Sequence, residues 1–268
     1  MCKTRKRKGR IYESDKIHSG SLSSLYMAHF EKSKYAKKLR EFKNIHKGET
    51  CFIIGNGPSL SSDDLELIHQ KNIPTFAFNR IYFMFDKTQW RPTYYISQDE
   101  KTLSNCQTEV NEMNLDYKFI PLFHKYYHNI NIDNALYFKL AFGNKDGKLK
   151  FSEDISCYFG DSSTVACTAV QFAVYMGFKK IYLIGVDHNF SVYRNSKGEI
   201  IHDDKVKDYF AKEYNSDKEE LYIPNLDSST MAYISVKEYC DKNGIEIYNA
   251  TRGGKLEVFE RADFDKLF

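Results

Sequence analysis

The stretch Cys51–Leu60, with the sequence Cys-Phe-Ile-Ile-Gly-Asn-Gly-Pro-Ser-Leu, constrains the fold of this chain more than any other. Its first four residues are apolar and predict a buried strand, and the two glycines that follow allow a tight turn that side chains would forbid. Pro58 suits the first turn of a helix, where its missing N–H costs no hydrogen bond. The N–H groups that open a helix attract anions. The stretch therefore predicts a nucleotide-phosphate site, with an ordinary strand-to-helix turn as the alternative.

Short apolar runs alternate with helical patterns along the 268 residues of the chain. The predicted strands are Cys51–Ile54, Thr75–Phe78, Tyr94–Ser97, Lys118–Leu122, Ala135–Phe138, Lys180–Gly185 and Ile245–Asn249. The predicted helices are Ser61–Gln70, Thr102–Glu112, Thr164–Met176 and Thr230–Asn243. Such alternation requires crossover connections, so we predict an α/β fold with a doubly wound, mostly parallel sheet that binds ligands beyond the carboxyl ends of its strands. The polar segment 189–225 is predicted to be a lid-like insertion that closes on substrate.

The positive charge of the chain is concentrated at its N-terminal end. Residues 1–50 hold 14 Lys and Arg against 5 Asp and Glu, whereas the rest of the chain holds 25 against 31. The mildly acidic body argues against nucleic-acid binding, which needs a cationic face on the fold. We predict a basic tail and amphipathic helix over residues 1–46, with helical periodicity from about Leu22, and a nucleotide-binding domain over residues 47–268. The helix either lies on an anionic membrane or packs on the domain.

The cysteine pattern and the apolar runs of the sequence bear on where the protein is located. The six cysteines form no Cys-x-x-Cys pair, which predicts neither a zinc site nor a disulfide framework and fits a reducing cytoplasm. The basic N-terminus is not followed by the apolar segment of a signal peptide, and no run approaches the roughly 20 apolar residues of a membrane span. We therefore expect a cytoplasmic protein with peripheral contact between residues 3–46 and the inner face of the membrane. The sequence leaves a homo-oligomer open.

Polar residues stand at the ends of further predicted elements. One apolar strand ends in Asn79 and Arg80; an Asn amide can recognise a base or ribose, and an Arg can bind a phosphate through two hydrogen bonds. Asp161–Thr164 opens a predicted helix whose N-terminus would face the same crevice. The strand after that helix ends in Asp187 and His188, which places a carboxylate and an imidazole at the same edge of the sheet.

Three of these pieces, in this order, resemble a known group of enzymes. Gly-Asn-Gly-Pro-Ser at 55–59, a strand ending in Asn79, and a helix leading into Gly-Phe-Lys-Lys-Ile-Tyr-Leu-Ile-Gly-Val-Asp at 177–187 look like the bacterial sialyltransferases of glycosyltransferase family 42. They also resemble the MptE-like proteins, which include the Maf flagellin glycosyltransferases and an archaeal hydroxymethyl-dihydropterin diphosphokinase. The resemblance spans about residues 50–250, and the closing stretch Tyr248–Phe259 is typical of the MptE-like branch.

The resemblance implies a Rossmann-like, metal-independent transferase that needs no cofactor and uses a nucleotide-activated sugar, which is CMP-sialic acid in the sialyltransferases. By matching positions, it implies contacts with the nucleotide or its sugar for Gly55, Asn56, Gly57, Ser59, Asn79, Ser163, Thr164, Asp187 and Tyr193. Asp187 then lies near the ribose, and Tyr193 holds the donor phosphate. We add Arg80 to this set because a guanidinium could help to neutralise the leaving group.

The general base is where the sequence departs from the sialyltransferases. Those enzymes keep a His just ahead of the helix that matches Thr230–Asn243, but the corresponding stretch Asn225–Thr230 holds none. His188 and His202 are the candidates to replace it, with Asp227 as a weaker one, because an imidazole can take a hydroxyl proton near neutral pH. Alternatively, His188 only braces its own loop and His202 is a solvated surface residue.

We therefore predict a metal-independent glycosyltransferase that builds a cell-surface glycan from a nucleotide sugar, CMP-sialic acid or a relative, and a glycan acceptor. The first alternative is an ATP- and Mg²⁺-dependent diphosphokinase acting on a pterin-like alcohol. That reaction would need carboxylates to converge, and Asp161, Asp187 and Asp203 are the candidates. The second alternative is a non-catalytic nucleotide-binding protein.

Overall fold

A computed structural model of the chain describes residues 27–141, 148–160, 163–195, 197–215 and 222–268. In these residues the centre of the protein is an eight-stranded sheet whose neighbouring strands are all parallel. Helices pack against the sheet. This arrangement confirms the predicted α/β, Rossmann-like, doubly wound fold.

The strands of the large sheet coincide with apolar runs of the sequence. They are β1 (Thr50–Ile54), β2 (Thr75–Phe78), β3 (Tyr94–Ile96), β4 (Lys118–Pro121), β5 (Ala135–Phe138), β8 (Lys180–Ile184), β11 (Glu246–Asn249) and β12 (Glu260–Arg261). Two small sheets pair β6 (Leu140–Ala141) with β7 (Phe159–Gly160), and β9 (Val192–Arg194) with β10 (Ile200–His202). The sequence predicts seven of the eight strands of the large sheet. It does not predict β12, because the two charged residues of this strand form no apolar pattern.

The described α-helices are α1 (Lys34–Arg40), α2 (Ser62–Gln70), α3 (Glu100–Glu112), α4 (Leu122–Tyr127), α5 (Val165–Met176) and α6 (Leu226–Lys242). The sequence predicts α2, α3, α5 and α6. It misses α4, because Leu122 continues the apolar run of β4 and reads as part of that strand. Among the described residues, no helix combines the length and the apolar character that crossing a bilayer requires.

The order of the strands determines where a ligand can bind. The order across the sheet is β12-β11-β8-β1-β2-β3-β4-β5. From β1 the chain adds strands in one direction as far as β5, and it then returns to place β8 on the other side of β1. Beyond the carboxyl ends of β1 and β8 the chain therefore leaves in two directions, and a crevice opens between the departing loops.

The amphipathic segment near the N-terminus is not one continuous helix in its described part. A 3-10 turn over Phe30–Lys32 ends at Ser33, whose side chain accepts a hydrogen bond from an N–H three residues later (3.1 Å) and caps α1. Such a cap starts a new helix because it satisfies an N–H that has no helical partner. Phe30 and Leu39 are fully buried, and α1 packs beside β5. The predicted start at Leu22 lies outside the described residues, and membrane contact by the basic face stays a prediction.

The contact between the ends of β1 and β8 generates a stability prediction. A Cβ on Gly55 would lie 2.2 Å from the carbonyl oxygen of Gly185. This oxygen belongs to the backbone and cannot rotate aside as a flexible side chain could. We expect Gly55→Ala to lower the free energy of unfolding in urea by about 3 kcal/mol, the upper end of the usual cost of overpacking. Gly244→Ala is the control, because no atom lies within 4 Å of the position that its new methyl group would take. Only its positive φ (+61°) opposes alanine. We expect this variant to lower the free energy of unfolding by about 1 kcal/mol. Equal losses in the two variants would contradict the prediction.

Candidate functional site

The crevice beyond β1 and β8 has two adjoining lobes. The first lobe lies between the glycine turn 55–57, the start of α5 and the loop 185–190 after β8. The second lobe shares Asn79 and Thr164 with the first and extends to Gln98. Each lobe has a volume of about 170 Å³. Together they reach the lower end of the roughly 300–1,000 Å³ that is usual for small-ligand sites.

Most of the predicted site residues come together in this crevice. Those that line the first lobe are Gly55, Asn56, Gly57, Asn79, Ser163, Thr164, Asp187 and His188. Arg80 lines the second lobe. Ser59, Tyr193, His202 and Asp227 line neither lobe.

The start of α5 is a helix N-terminus that faces the crevice. Thr164 is its N-cap: the backbone there is extended (φ −146°, ψ 139°), and the hydroxyl accepts a hydrogen bond from Ala166 N–H (3.4 Å). Val165 is the first helical residue, so its N–H has no acceptor within the helix, and it lines both lobes. This N–H and the dipole of α5 favour an anion at the crevice wall. Asp161 and Ser162, which precede this turn, lie outside the described residues.

The helix after the glycine turn begins at Ser62, within one residue of its predicted start, and none of its residues lines the crevice. Leu60 N–H donates to Gly57 O (3.1 Å) and closes a turn around Pro58, and α2 begins only at Ser62 after the capping residue Ser61. The prediction that Pro58 stands in the first turn of this helix is therefore wrong. The serine supplies the cap, and the proline shapes the connecting turn. Of the two helix starts expected to bind phosphate, the crevice uses the one at Thr164.

Asn56 presents a buried hydrogen-bond acceptor beside that helix start. Its Nδ2 donates to Phe78 O (3.0 Å), which fixes the orientation of the amide. Its Oδ1 is buried and has no hydrogen-bond partner among the described residues, and the whole residue is only 7% exposed. Leaving a buried acceptor unpaired costs about 1–3 kcal/mol. The crevice therefore favours a ligand that donates a hydrogen bond here, from a hydroxyl or an amine.

Asp187 braces the glycine turn instead of pointing freely into the crevice. Its Oδ2 accepts a hydrogen bond from the Ser59 hydroxyl (2.7 Å) and a longer one from Ser59 N–H (3.5 Å). Gly57 leaves the necessary room, since a Cβ there would lie 1.9 Å from this oxygen. Burial raises the pKa of Asp187, while the Ser59 hydrogen bonds act in the opposite direction. Ser59 thus acts behind the crevice wall, through Asp187.

The segment after β11 supports the Asp187 loop from the outside. Lys255 N–H donates to Asp187 O (2.7 Å), and a Cβ on Gly254, where φ is +74°, would lie 2.9 Å from Asp187 Cα. Arg252 in the same turn pairs with Asp64 (3.0 Å) and Asp265 (2.5 Å). This turn therefore fixes the loop that carries Asp187 and the residue after it.

His188 is held by α6. Its Nε2 lies 2.8 Å from the Thr230 hydroxyl, which donates its proton to Leu226 O (2.9 Å). The hydroxyl has only one proton, so it accepts from His188 Nε2–H, and the neutral imidazole carries its lone pair on Nδ1. Burial lowers the pKa of His188 to about 4, and Asp227 opposes this shift. At neutral pH His188 is therefore an uncharged acceptor of protons.

Asn79 and Arg80 shape the other wall. Asn79 adopts a left-handed backbone (φ +55°), and its Oδ1 accepts from the Ser97 hydroxyl (3.2 Å). Arg80 is only 1% exposed, and its guanidinium donates to Tyr214 O and lies 5.8 Å from the Tyr214 ring. A buried positive charge thus stands beside the second lobe and anchors the segment that covers it.

Part of the polar segment 189–225 lines the crevice, and its closure on substrate stays a prediction. Tyr209 and Tyr214 stack with ring centroids 3.9 Å apart, and both line the two lobes. Phe210 N–H donates to Asn56 O (3.2 Å) and ties this segment to the glycine turn. Sequence reasoning missed Ser229 and Tyr233, which reach the first lobe from α6. Their four-residue spacing places them on one helix face, and this was the available signal.

The remaining predicted residues lie away from the crevice lining. Tyr193 and His202 belong to the hairpin β9–β10, in which Tyr193 pairs with Ile201 and His202 is exposed. Asp227 is exposed in the first turn of α6. In the part of the chain that the structure describes, no group of three or more His, Cys, Asp or Glu side chains is arranged to hold a metal ion.

Comparisons with known proteins indicate the family and the fold of the chain. Residues 26–192 match the model of a family described as "6-hydroxymethylpterin diphosphokinase MptE-like". No curated protein matches the chain in a sequence search. Among solved structures, the chain is similar to the MAf glycosyltransferase from Magnetospirillum magneticum AMB-1, with a TM-score of 0.51 and 14% sequence identity over 90% of this chain. The chain spans 39% of that protein's length, and the likeness is one of fold.

The burial of His188 generates a prediction on pH. Because its folded-state pKa of about 4 lies below the ordinary value of 6.5, the unfolded chain binds more protons between these pH values. This residue therefore makes the free energy of unfolding fall as the pH is lowered from 6.5 to 4, by at most about 1.4 kcal/mol per pH unit. Urea titrations should show a shallower fall for His188→Gln than for the wild type. Parallel curves for the two proteins would contradict the burial of a neutral imidazole.

Proposed function

We propose that this chain, which belongs to the MptE-like family, is a glycosyltransferase that uses a nucleotide-activated sugar of the CMP-sialic acid type in the synthesis of cell-surface glycans. One observation carries the proposal: the N-terminus of α5 and Asn56 line the same lobe at the switch point of the sheet, and the buried Oδ1 of Asn56 has no hydrogen-bond partner among the described residues. The helix start suits a phosphate, and the amide oxygen suits a hydroxyl or amine of the attached nucleoside.

In this proposal the start of α5 stabilises the leaving group. As the bond between the anomeric carbon and the phosphate oxygen breaks, the electron pair leaves with the nucleotide and its phosphate gains negative charge. Val165 N–H and the helix dipole are already oriented toward that charge, so they stabilise the transition state without reorganising. Arg80, buried at the wall of the second lobe, adds positive potential from the other side.

His188 is the favoured general base among the three candidates. It lines the crevice, whereas His202 and Asp227 do not. With Nε2–H held by Thr230, the lone pair of Nδ1 can accept the proton of the acceptor hydroxyl while its oxygen bonds to the anomeric carbon. The charge of Asp227 favours the imidazolium that results, and it opposes part of the effect of burial, which lowers the pKa of His188 to about 4.

The family description supports a second candidate, an ATP- and Mg²⁺-dependent diphosphokinase acting on a pterin-like alcohol. Of the three carboxylates proposed for that reaction, Asp187 is engaged with Ser59, and Asp203 accepts a hydrogen bond from Lys205 N–H (3.1 Å). Asp161 lies outside the described residues.

A nucleotide panel tests the two candidates against each other. The protein is heated with CMP, UDP, GDP or ATP, with and without Mg²⁺, and its unfolding is followed. We expect CMP to stabilise it without Mg²⁺, by about 2–4 kcal/mol at 100 to 1,000 times the dissociation constant. Stabilisation by ATP with Mg²⁺ alone would instead establish the diphosphokinase, and no stabilisation by any nucleotide would exclude both.

A proline at the first position of α5 tests the phosphate site. Val165→Pro removes one N–H without breaking the helix, because proline is tolerated at this position and Thr164 is already extended. We expect calorimetric titration to show CMP binding weakened by about 1.5–3 kcal/mol, the usual value of a hydrogen bond to a charged group.

The matched control for this experiment is Val165→Ala, which removes the side chain and keeps the N–H. Its affinity for CMP should stay close to that of the wild type. The same affinity in the Pro and Ala variants would show that the phosphate binds elsewhere.

A further inference from the structure

A groove adjoins the crevice at His188. It runs between α6 and the segment 255–258, and it has a volume of about 540 Å³. His188 lines both the groove and the first lobe of the crevice. A single imidazole therefore stands where two cavities meet, and the groove has no part in the nucleotide site described above.

The helix α6 separates the two cavities with two adjacent faces. Ser229 and Tyr233 line the crevice. The groove is lined by Thr230, Ile234 and Glu238, which follow one another at intervals of about one helical turn. The Tyr233 ring packs edge-on against His188, with centroids 5.5 Å apart. The imidazole is thus held by the Tyr233 ring and by the Thr230 hydroxyl, which engages Nε2 and leaves the lone pair of Nδ1 for the proton of a bound hydroxyl.

The groove combines an apolar floor with a rim that carries charges of both signs. The half-buried Ile234 and Val258 supply apolar surface, and the buried Leu256 belongs to the same lining. The rim side chains are Lys237, Glu238, Asp241, Lys255 and Glu257. Lys237 pairs with Asp241 (2.7 Å), and Glu257 pairs with Arg261 (2.5 Å). Carboxylates and ammonium groups at a rim can accept from and donate to hydroxyls. The small net charge attracts neither a strongly anionic nor a strongly cationic molecule.

We propose that this groove binds the acceptor substrate and that the acceptor is an uncharged sugar. The C–H face of a sugar ring packs on the apolar floor, its hydroxyls bond to the rim, and the reacting hydroxyl lies at the end of the groove beside His188. The assignment of the groove to an acceptor rests on the proposed glycosyltransferase function. It adds the place of the acceptor, its chemical class and a set of residues that determine specificity.

The test measures binding of simple sugars to the full chain. The probes are p-nitrophenyl glycosides of glucose, galactose and N-acetylglucosamine, the anionic p-nitrophenyl glucuronide, and a serine- and threonine-containing peptide. Binding is followed by saturation-transfer NMR, with and without CMP. We expect the neutral glycosides to bind the wild type and the glucuronide to bind more weakly. Binding of the peptide in preference to every glycoside, or of no probe at all, would overturn the proposal.

Variants locate the binding in the groove. Ile234→Trp fills the floor, and Glu238→Trp does so from an exposed position that does not disturb the core. We expect each to weaken glycoside binding at least tenfold while CMP still binds. Ile45→Trp is the matched control, since Ile45 is 46% exposed and lines neither cavity.

The possible failures can be told apart. Unchanged glycoside affinity in both groove variants would place the acceptor elsewhere, although CMP binding would keep the transferase proposal. If the wild type bound glycosides in the groove but did not bind CMP, the transferase proposal would be contradicted. The groove would then be a sugar-binding site without a role in glycosyl transfer.

Discussion

The crevice depends on the close approach of two backbone segments, those that leave β1 and β8. Gly55 N–H donates to Ile184 O (2.7 Å), and Gly57 N–H donates to Gly185 O (2.8 Å). A side chain on Gly55 would not fit between them. This contact brings Asn56 and Asp187 to the lining of one opening, and the hydrogen bond from Ser59 to Asp187 stabilises the turn. The helix start at Thr164 completes a site for which neither loop would suffice alone.

The sheet could be predicted from the sequence because its inner strands are buried on both faces and appear as continuous apolar runs. The positions of helix starts are less predictable. A proline at position 58 suggests an immediate helix, yet Ser61 provides the cap, and Ser33 divides what the apolar periodicity presents as one helix. Both errors have the same cause. A single capping side chain determines a boundary that the pattern of apolar residues does not contain.

The candidate site was predictable to the extent that parallel topology determines it. Residues at the carboxyl ends of β1, β2 and β8 must meet at one edge, so Asn56, Asn79 and Asp187 follow from strand order alone. The role of Asp187 as a brace does not, since it depends on the conformation of the turn. Tyr193 and His202 lie in a hairpin whose direction no local pattern specifies. His188 meets Thr230 across 42 positions of sequence, and only the packing of α6 determines its tautomer.

The brace that Gly254 and Lys255 place on the Asp187 loop lies beyond residue 192, where the family match ends. The matched region therefore contains the loop but not its support. In a chimera that joined residues 26–192 to the C-terminal half of a relative, Asp187 and His188 would be present but held by a foreign turn. Such a chimera would therefore need a left-handed residue at position 254 and an N–H at position 255 to keep the conformation of the Asp187 loop.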